Sequence, residues 1–429
     1  MPKILQFIDK KFGRLGPGFI TGAADDDPSG IATYSIAGAR FGYFVNWVCL
    51  FTIPLMISVQ EMCGRIGMVS GRGLAGSIRK YYSKKILYFT IILLFIANTV
   101  NIGANLGAMA ASIQMILGLP FFIWLILVTI VTLLLEIFVP YDKYSRYLKW
   151  MGLSLLVYGA TAFITKQNWL SVIKYTFIPH VEFSMSYLVV IVGFLGTSIS
   201  PYLFFWQAAE EVEEAIKMGK IQDFDERLPQ VRDAEIAHMR KDTGIGMIFS
   251  QLIAFFVILT AASTLNKNGI FNIETPQQAA LALRPLAGDF AYILFAIGII
   301  GIGLQTVPIL AGGVAYSFAE AFGFKEGLAK KLTEAKAFYI TIIISIAVGA
   351  FMNIIGISPI KALYYTAILN GIIAVPLIAI IIRMADDSRI VGHFKTPKPW
   401  KLIAWITFML MGIASVLLIV NLFYQKFFS

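Results

Sequence analysis

Residues 25–30 read Asp25-Asp26-Asp27-Pro28-Ser29-Gly30, in the middle of an otherwise apolar stretch running from Gly16 to Gly42. Adjacent carboxylates are hard oxygen donors, the kind that hold a cation together with carbonyl and water oxygens. A charge at the centre of a bilayer costs at least about 2.5–3.5 kcal/mol, so such residues are kept there for a function. Pro28 removes a backbone donor and Gly30 permits unusual dihedrals, so a helix through this stretch is expected to unwind. Unwound backbone at that depth survives only inside protein or beside a watery cavity. The plainer alternative is a loop between two short helices, but residues 31–42 are too few to span alone.

Asp27, directly before the proline, is the leading candidate for a cation ligand. Asp25 and Asp26 are expected to share the charge or line the approach. A second interruption reads Gly193-Phe-Leu-Gly196-Thr197-Ser198-Ile199-Ser200-Pro201-Tyr202. Taken alone it reads as an ordinary proline kink. Carbonyls freed near Ala24 and Thr197, with Ser200, would complete a shell around a cation at Asp27 if the two breaks meet.

The elements that must position these residues are membrane helices. Of 429 residues, 58% are hydrophobic and 14% charged, whereas a soluble domain carries about 25% charged residues. Eleven spans are expected, near 16–42, 44–68, 86–118, 121–139, 147–164, 187–209, 243–265, 289–323, 337–355, 359–383 and 399–425. With the N-terminus placed inside, all but seven of the 35 Lys and Arg residues fall on the inner side; the exceptions are Arg40, Lys166, Lys174, Lys267, Arg284, Lys361 and Lys426. The inner group includes Lys143, Arg146 and Lys149 after span 4. One missed or invented span would invert every later loop and destroy this bias, which orients membrane proteins. The N-terminus is therefore expected in the cytoplasm, the C-terminus outside, and the protein in the plasma (inner) membrane.

Five spans precede the second break. Five is odd, so spans 1–5 and 6–10 have opposite topology, and the breaks fall at matching positions in two inverted halves. That arrangement is the best sequence pointer to a transporter site. The expected divisions are an N-terminal segment 1–15, a first repeat 16–164, an outer loop 165–186, a second repeat 187–383 containing a cytoplasmic linker 210–242, and an eleventh helix with the C-terminus, 384–429.

The residues also resemble the NRAMP family of divalent-metal transporters over nearly the whole chain. The likeness is strongest at Gly16-Pro-Gly18, Asp27-Pro28, Ile36-Ala-Gly-Ala-Arg-Phe-Gly-Tyr43, Arg65-Ile-Gly-Met-Val-Ser-Gly71 and Gly193-Phe-Leu-Gly196. The resemblance implies an all-α membrane protein with a LeuT-like 5+5 inverted repeat, helices 1 and 6 broken at mid-membrane, and an added eleventh helix.

The departures from the family pattern matter for selectivity. The family's Asp-Pro-Gly-Asn, whose Asp and Asn bind metal, is Asp27-Pro28-Ser29-Gly30 here, so the Asn is missing. Its Met-Pro-His is Ser200-Pro201-Tyr202, which lacks both the thioether and the imidazole. Where the family's third helix carries an Asp and a Glu linked to proton movement, alignment back from Gly118-Leu-Pro120 gives Ile102 and Asn105. The site so implied is harder than the family norm and looks like that of the NRAMP-related magnesium transporters. The expected substrate is Mg2+ without tight proton coupling; Mn2+ or another divalent metal with proton coupling is the alternative.

Other polar residues inside spans are weighed singly. Asn98, Asn101 and Asn105 share a helical face and read as interhelical hydrogen-bonding groups or the lining of a hydrated path. Gln305 and Asn370, in spans 8 and 10, and Tyr202 and Asn105 are transport-path candidates. Glu61 and Arg65 are spaced for an ion pair. Glu136, near Pro140, reads as structural. Glu210, Glu211, Glu213 and Glu214 read as a solvated helix end, with an acidic inner vestibule as the alternative. Cys49 and Cys63, roughly 21 Å apart on one helix, cannot form a disulfide.

No nucleotide-binding loop, zinc spacing or nucleophile elbow is apparent, and His180, His238 and His393 are isolated, so no enzyme is expected. No cofactor is expected, the metal being substrate. The partners are that metal and the lipid bilayer. Nucleic acid is not expected despite the net charge of +10, because the basic residues lie between spans and not on one module. The oligomeric state is left open. An ion-coupled carrier of a small organic solute and a non-transporting membrane receptor or scaffold are the competing functions.

Overall fold

The computed structural model describes residues 16–139, 155–226, 228–328 and 330–428, and every regular element among them is helical. Span 1 is two helices, α1 (Pro17–Asp25) and α2 (Pro28–Phe41), and span 2 is α3 (Asn46–Ser70). A short helix α4 (Leu74–Tyr81) leads into α5 (Lys84–Leu117), span 3, and α6 (Phe121–Phe138) is span 4. Helix α7 (Leu156–Ile164) is the described part of span 5. The N-terminal segment 1–15, Pro140, and the inner loop with Lys143, Arg146 and Lys149 lie outside the described residues.

Helix α8 (Trp169–Phe177) occupies the expected outer loop. Span 6 is again two helices, α9 (Met185–Ser198) and α10 (Pro201–Lys217). Spans 7 to 11 are α11 (Asp233–Thr264), α12 (Ala291–Phe322), α13 (Lys336–Met352), α14 (Pro359–Asp386) and α15 (Lys398–Phe428). Nine helical runs among the described residues are long and apolar enough to cross a membrane. Spans 1 and 2 count there as one run, because the tight turn Gly42–Val45 joins α2 to α3, and span 5 is only partly described.

Close backbone contact holds the broken helices in place. A Cβ added at Gly22 of α1 would lie 2.2 Å from the carbonyl carbon of Gly246 on α11, so no side chain separates the two backbones. Small residues at such crossings are how helices approach each other in a membrane, where apolar burial against lipid gives no net drive. The pairing obeys the five-span shift. Span 1 crosses span 7 at Gly38 against the Ile258 carbonyl, and span 6 crosses span 2 at Ala208 against Gly67. Spans 2 and 7 also share a buried charge cluster, in which Glu61 takes Arg65 and, at 3.3 Å, Arg240. The expected Glu61–Arg65 pair is thus present, with a second arginine joined to it.

The linker 210–242 is expected as a helix plus loop, and one expectation changes there. Helix α10 continues to Lys217 and α11 begins at Asp233, so the irregular part of 210–242 is confined to about residues 218–232. The expected solvated helix end is not solvated: Glu210, Glu211 and Glu213 are 8%, 3% and 4% exposed. Glu211 accepts from Gln207 Nε2 at 2.9 Å, and Glu213 accepts from the Tyr316 hydroxyl at 2.7 Å. The charge count of this segment suggested solvent, but it is the apolar face of α10 that drives the helix into the bundle. The glutamates follow and find donors there. Glu136 is buried on α6 with neither carboxylate oxygen hydrogen-bonded among the described residues.

Candidate metal centre

Both breaks are short. Only Asp26 and Asp27 interrupt span 1, and only Ile199 and Ser200 interrupt span 6. The expected unwinding over 25–30 is wider than the observed one, because Pro28 and Pro201 each sit at the first position of the helix that resumes. There the missing N–H costs nothing and the fixed φ suits the helix. Gly30 is helical, so its conformational freedom is not what opens the break.

Asp27 is the N-cap of α2. Its backbone is extended, and its Oδ1 accepts from Gly30 N at 2.8 Å and from Ser29 Oγ at 2.5 Å. This is ordinary N-cap chemistry, and it leaves Oδ2 pointing at span 3, where Asn105 Nδ2 lies 3.4 Å away. Asn105 is held by the carbonyl and side-chain oxygens of Asn101, both at 3.0 Å, and its own Oδ1 has no partner. Across the break, the Ser29 and Thr197 hydroxyls are 3.4 Å apart, so the interruptions of spans 1 and 6 do meet. Asp27 Oδ2, Asn105 Oδ1 and the Thr197 hydroxyl are the oxygens here that could hold a metal, all from fully buried residues.

The other expected ligands are placed differently. The Ala24 carbonyl accepts from the Tyr202 hydroxyl at 3.2 Å. Ser200 turns its hydroxyl back onto the Gly196 and Thr197 carbonyls, at 2.6 and 2.9 Å. Tyr202 and Ser200 therefore satisfy the carbonyls that the breaks expose, and a metal at Ala24 or Thr197 oxygen would share them. Asp25 and Asp26 face span 7, where Ser250 donates to Asp25 Oδ2 and lies 3.4 Å from Asp26 Oδ1. Among the described residues no three His, Cys, Asp or Glu side chains converge on one point, so the three aspartates do not form a single cage.

Gln305 and Asn370 are buried, but neither hydrogen-bonds to the residues of the two breaks among the described residues. Asn370 precedes Gly371, which packs on Gly196 next to the second break, and its Nδ2 has no partner. Asn98 donates to the Leu310 carbonyl at 2.9 Å, an interhelical bond of the expected kind.

Sequence reasoning missed Ser29, Ser198, Ser250, Gln251 and Tyr34. The signal for Ser29 was present, since it sits two residues after Asp27 where an N-cap partner is common. Ser250 and Gln251 carry no local signal, because their role depends on which face of α11 meets α1.

With this geometry in hand, comparison with known proteins gives one decisive match. The family model described as natural resistance-associated macrophage protein-like, Nramp, matches residues 18–421. The chain belongs to the Nramp family. As an Nramp protein it is 23% identical, over 98% of its length and 92% of theirs, to proteins described as divalent metal cation transporter MntH from Listeria welshimeri and from Listeria monocytogenes. Among solved structures it resembles the Eremococcus coleocola manganese transporter in complex with an aromatic bis-isothiourea substituted compound, with a TM-score of 0.73 at 15% identity, covering 96% of this chain and 87% of that one. It also resembles Mhp1, a nucleobase-cation-symport-1 family transporter, in a closed conformation, with a TM-score of 0.57 at 12% identity and coverage of 95% and 93%. At such identities these structures establish the fold, which this Nramp chain shares with LeuT-fold transporters.

Proposed function

We propose that this chain carries divalent metal cations across the membrane, binding them where the breaks of spans 1 and 6 meet, with Asp27 as the charged ligand. The observation that carries the reading is the buried Asp27 carboxylate. One of its oxygens is fixed as a helix cap, the other faces Asn105, and the adjoining Ser29 hydroxyl meets that of Thr197 across the break. The printed names of the relatives, divalent metal cation and manganese transporters, support Mn2+ as a substrate.

The donor set supports a second point. It offers carboxylate, amide and hydroxyl oxygens and no thioether or imidazole, and such donors suit Mg2+, Ca2+ and Mn2+ alike. Mg2+ therefore competes with Mn2+ at this site, as in the resemblance to the magnesium-transporting branch. Tyr202 and Asn105, near Asp27, do not change charge near neutral pH, which supports metal movement without stoichiometric proton movement. Proton coupling is the second reading. It is favoured by the buried Asp25 Oδ1 and Asp26 Oδ2, which lack hydrogen-bond partners. The basic inner loops support a plasma-membrane protein with its N-terminus in the cytoplasm.

The test is reconstitution in liposomes with a metal reporter and a pH dye. Mn2+ uptake that a large Mg2+ excess suppresses, without acidification, and that Asp27→Ala abolishes, is the expected result. Uptake untouched by Mg2+ removes the hard-cation reading, acidification that tracks uptake removes the uncoupled one, and no divalent uptake at all removes the function.

A further inference from the structure

The face of the span 1 break that looks away from Asn105 is built around a shortage of donors. Asp25 and Asp26 are buried, and neither takes part in an ion pair among the described residues. Ser250 of α11 carries one hydroxyl proton for both carboxylates. It donates to Asp25 Oδ2 and can offer Asp26 Oδ1, 3.4 Å away, nothing more. Asp25 Oδ1 and Asp26 Oδ2 are left without any partner. The next residue, Gln251, spends its amide N–H on Ser198 Oγ at 3.1 Å, and Ser198 in turn meets the Tyr34 hydroxyl at 3.1 Å. Its carbonyl oxygen Oε1 is a third acceptor with no donor, on a residue 1% exposed. Three unsatisfied acceptors, on residues of two adjoining helices, are the inverse of an apolar core. A buried carboxylate left unpaired is strongly destabilising, so the arrangement calls for a positive charge, either a proton or a cation.

We infer that Asp25, Asp26, Ser250 and Gln251 form a second cation site, on the span 7 face of the broken helix, which takes a monovalent alkali cation of the Na+ class alongside the divalent ion at Asp27. This rests on the reading of Asp27 as the divalent site. Charge selects the monovalent ion. Asp25, Asp26 and Asp27 together bring three negative charges into the interior. One divalent ion leaves one charge over, a monovalent ion cancels it, and a second divalent ion would overshoot. The donors, carboxylate, hydroxyl and amide oxygens, are hard. Because both ions draw on one set of adjacent carboxylates and repel each other, each weakens the binding of the other. Coupling between such sites is reciprocal and typically 5–150-fold.

The test uses purified full-length protein and reads two ions separately. Binding of radioactive 22Na+ without divalent metal is expected to be displaced by unlabelled Na+ and not by choline, and to be lost in Ser250→Ala and Gln251→Ala but kept in Ser250→Thr. Mn2+ affinity, compared within each protein, is expected to be at least about fivefold weaker in Na+ than in choline for the wild type, with a ratio near one in Ser250→Ala. Absence of displaceable 22Na+ binding in the wild type overturns the site. So does a lowering of pH that substitutes fully for Na+, because the occupant is then a proton. Mn2+ binding in choline that is intact while Na+ has no effect overturns this inference and leaves the proposed function standing. Displaceable 22Na+ binding without any Mn2+ binding does the reverse for the site itself.

Discussion

Asp27 uses its two oxygens differently: Oδ1 starts α2, and Oδ2 faces Asn105, where the proposed metal would bind. The roles separate on substitution. Asp27→Asn keeps an N-cap acceptor of equal quality and removes the charge, whereas Asp27→Ala removes both. We expect Asp27→Asn to keep the wild-type thermal midpoint and to lose divalent-metal binding by calorimetry. Asp27→Ala should lose binding and also about 0.5–2 kcal/mol of stability. Metal binding retained in a well-folded Asp27→Asn protein would count against a charged ligand here. Ser29 and Asn105, which touch the same carboxylate, have no such dual character, since neither carries a charge.

Among the elements, the seam between α1 and α11 is packed backbone to backbone beside the first break. At Gly22 a side chain would meet backbone and not a flexible neighbour, so the helices must part to admit one. Overpacking costs typically about 1–3 kcal/mol. Gly22→Val is expected to lower the thermal midpoint and to make a cysteine introduced at the buried Thr21 newly reactive to a water-soluble thiol reagent. A protein with unchanged midpoint and an unreactive thiol would show that the seam yields more easily than its geometry implies.

A second junction lies where α12 meets α4. Glu320 accepts from the backbone N–H groups of Gly73 and, at 3.0 Å, Gly76, thereby capping α4 from another element. Beyond it, in the turn after α12, Glu326 is 5% exposed with its Oε2 unpartnered. Burial, and then the nearby Glu320, hold the Glu326 carboxyl well above its ordinary range. The folded protein therefore binds more protons than the unfolded chain between the ordinary carboxylate range and the raised value. Stability attributable to this group falls as pH rises through that interval. Glu326→Gln is expected to raise the thermal midpoint at neutral pH and to flatten its decline from acid to neutral; an unchanged pH profile would assign that decline elsewhere.

For the whole molecule, the distribution of Lys and Arg and the odd number of spans in each repeat make one joint statement about orientation. If spans 1–5 and 6–10 are inverted and an eleventh follows, the two termini lie on opposite sides. A reporter that is active only outside the cytoplasm, fused after Ser429, is expected to be active, and one that fluoresces only inside is expected to be dark there and bright when fused before Met1. The opposite pattern at the C-terminus alone would mean one span fewer or one more. The crossings of span 1 with 7 and of span 6 with 2 match the inverted arrangement from the packing side.

Much of this was legible in the residues. Charged groups inside apolar runs and prolines at Pro28 and Pro201 marked the breaks, because bilayer and helix energetics penalise both wherever they lack a purpose. The inverted halves followed from the odd number of spans before the second break, a count that the loop charges support. Asp27 could be singled out because it stands directly before the proline of the break. The structure alone decided which acceptors were already taken: Ala24 by Tyr202, and the Thr197 carbonyl by Ser200. It alone turned Asp25 and Asp26 toward Ser250 and buried Glu211 and Glu213. Those outcomes depend on which faces of distant helices meet. Rotation of a helix about its axis is set by packing across the bundle, and a single sequence records the hydrogen-bonding capacity of a residue but not the partner that tertiary contact assigns to it.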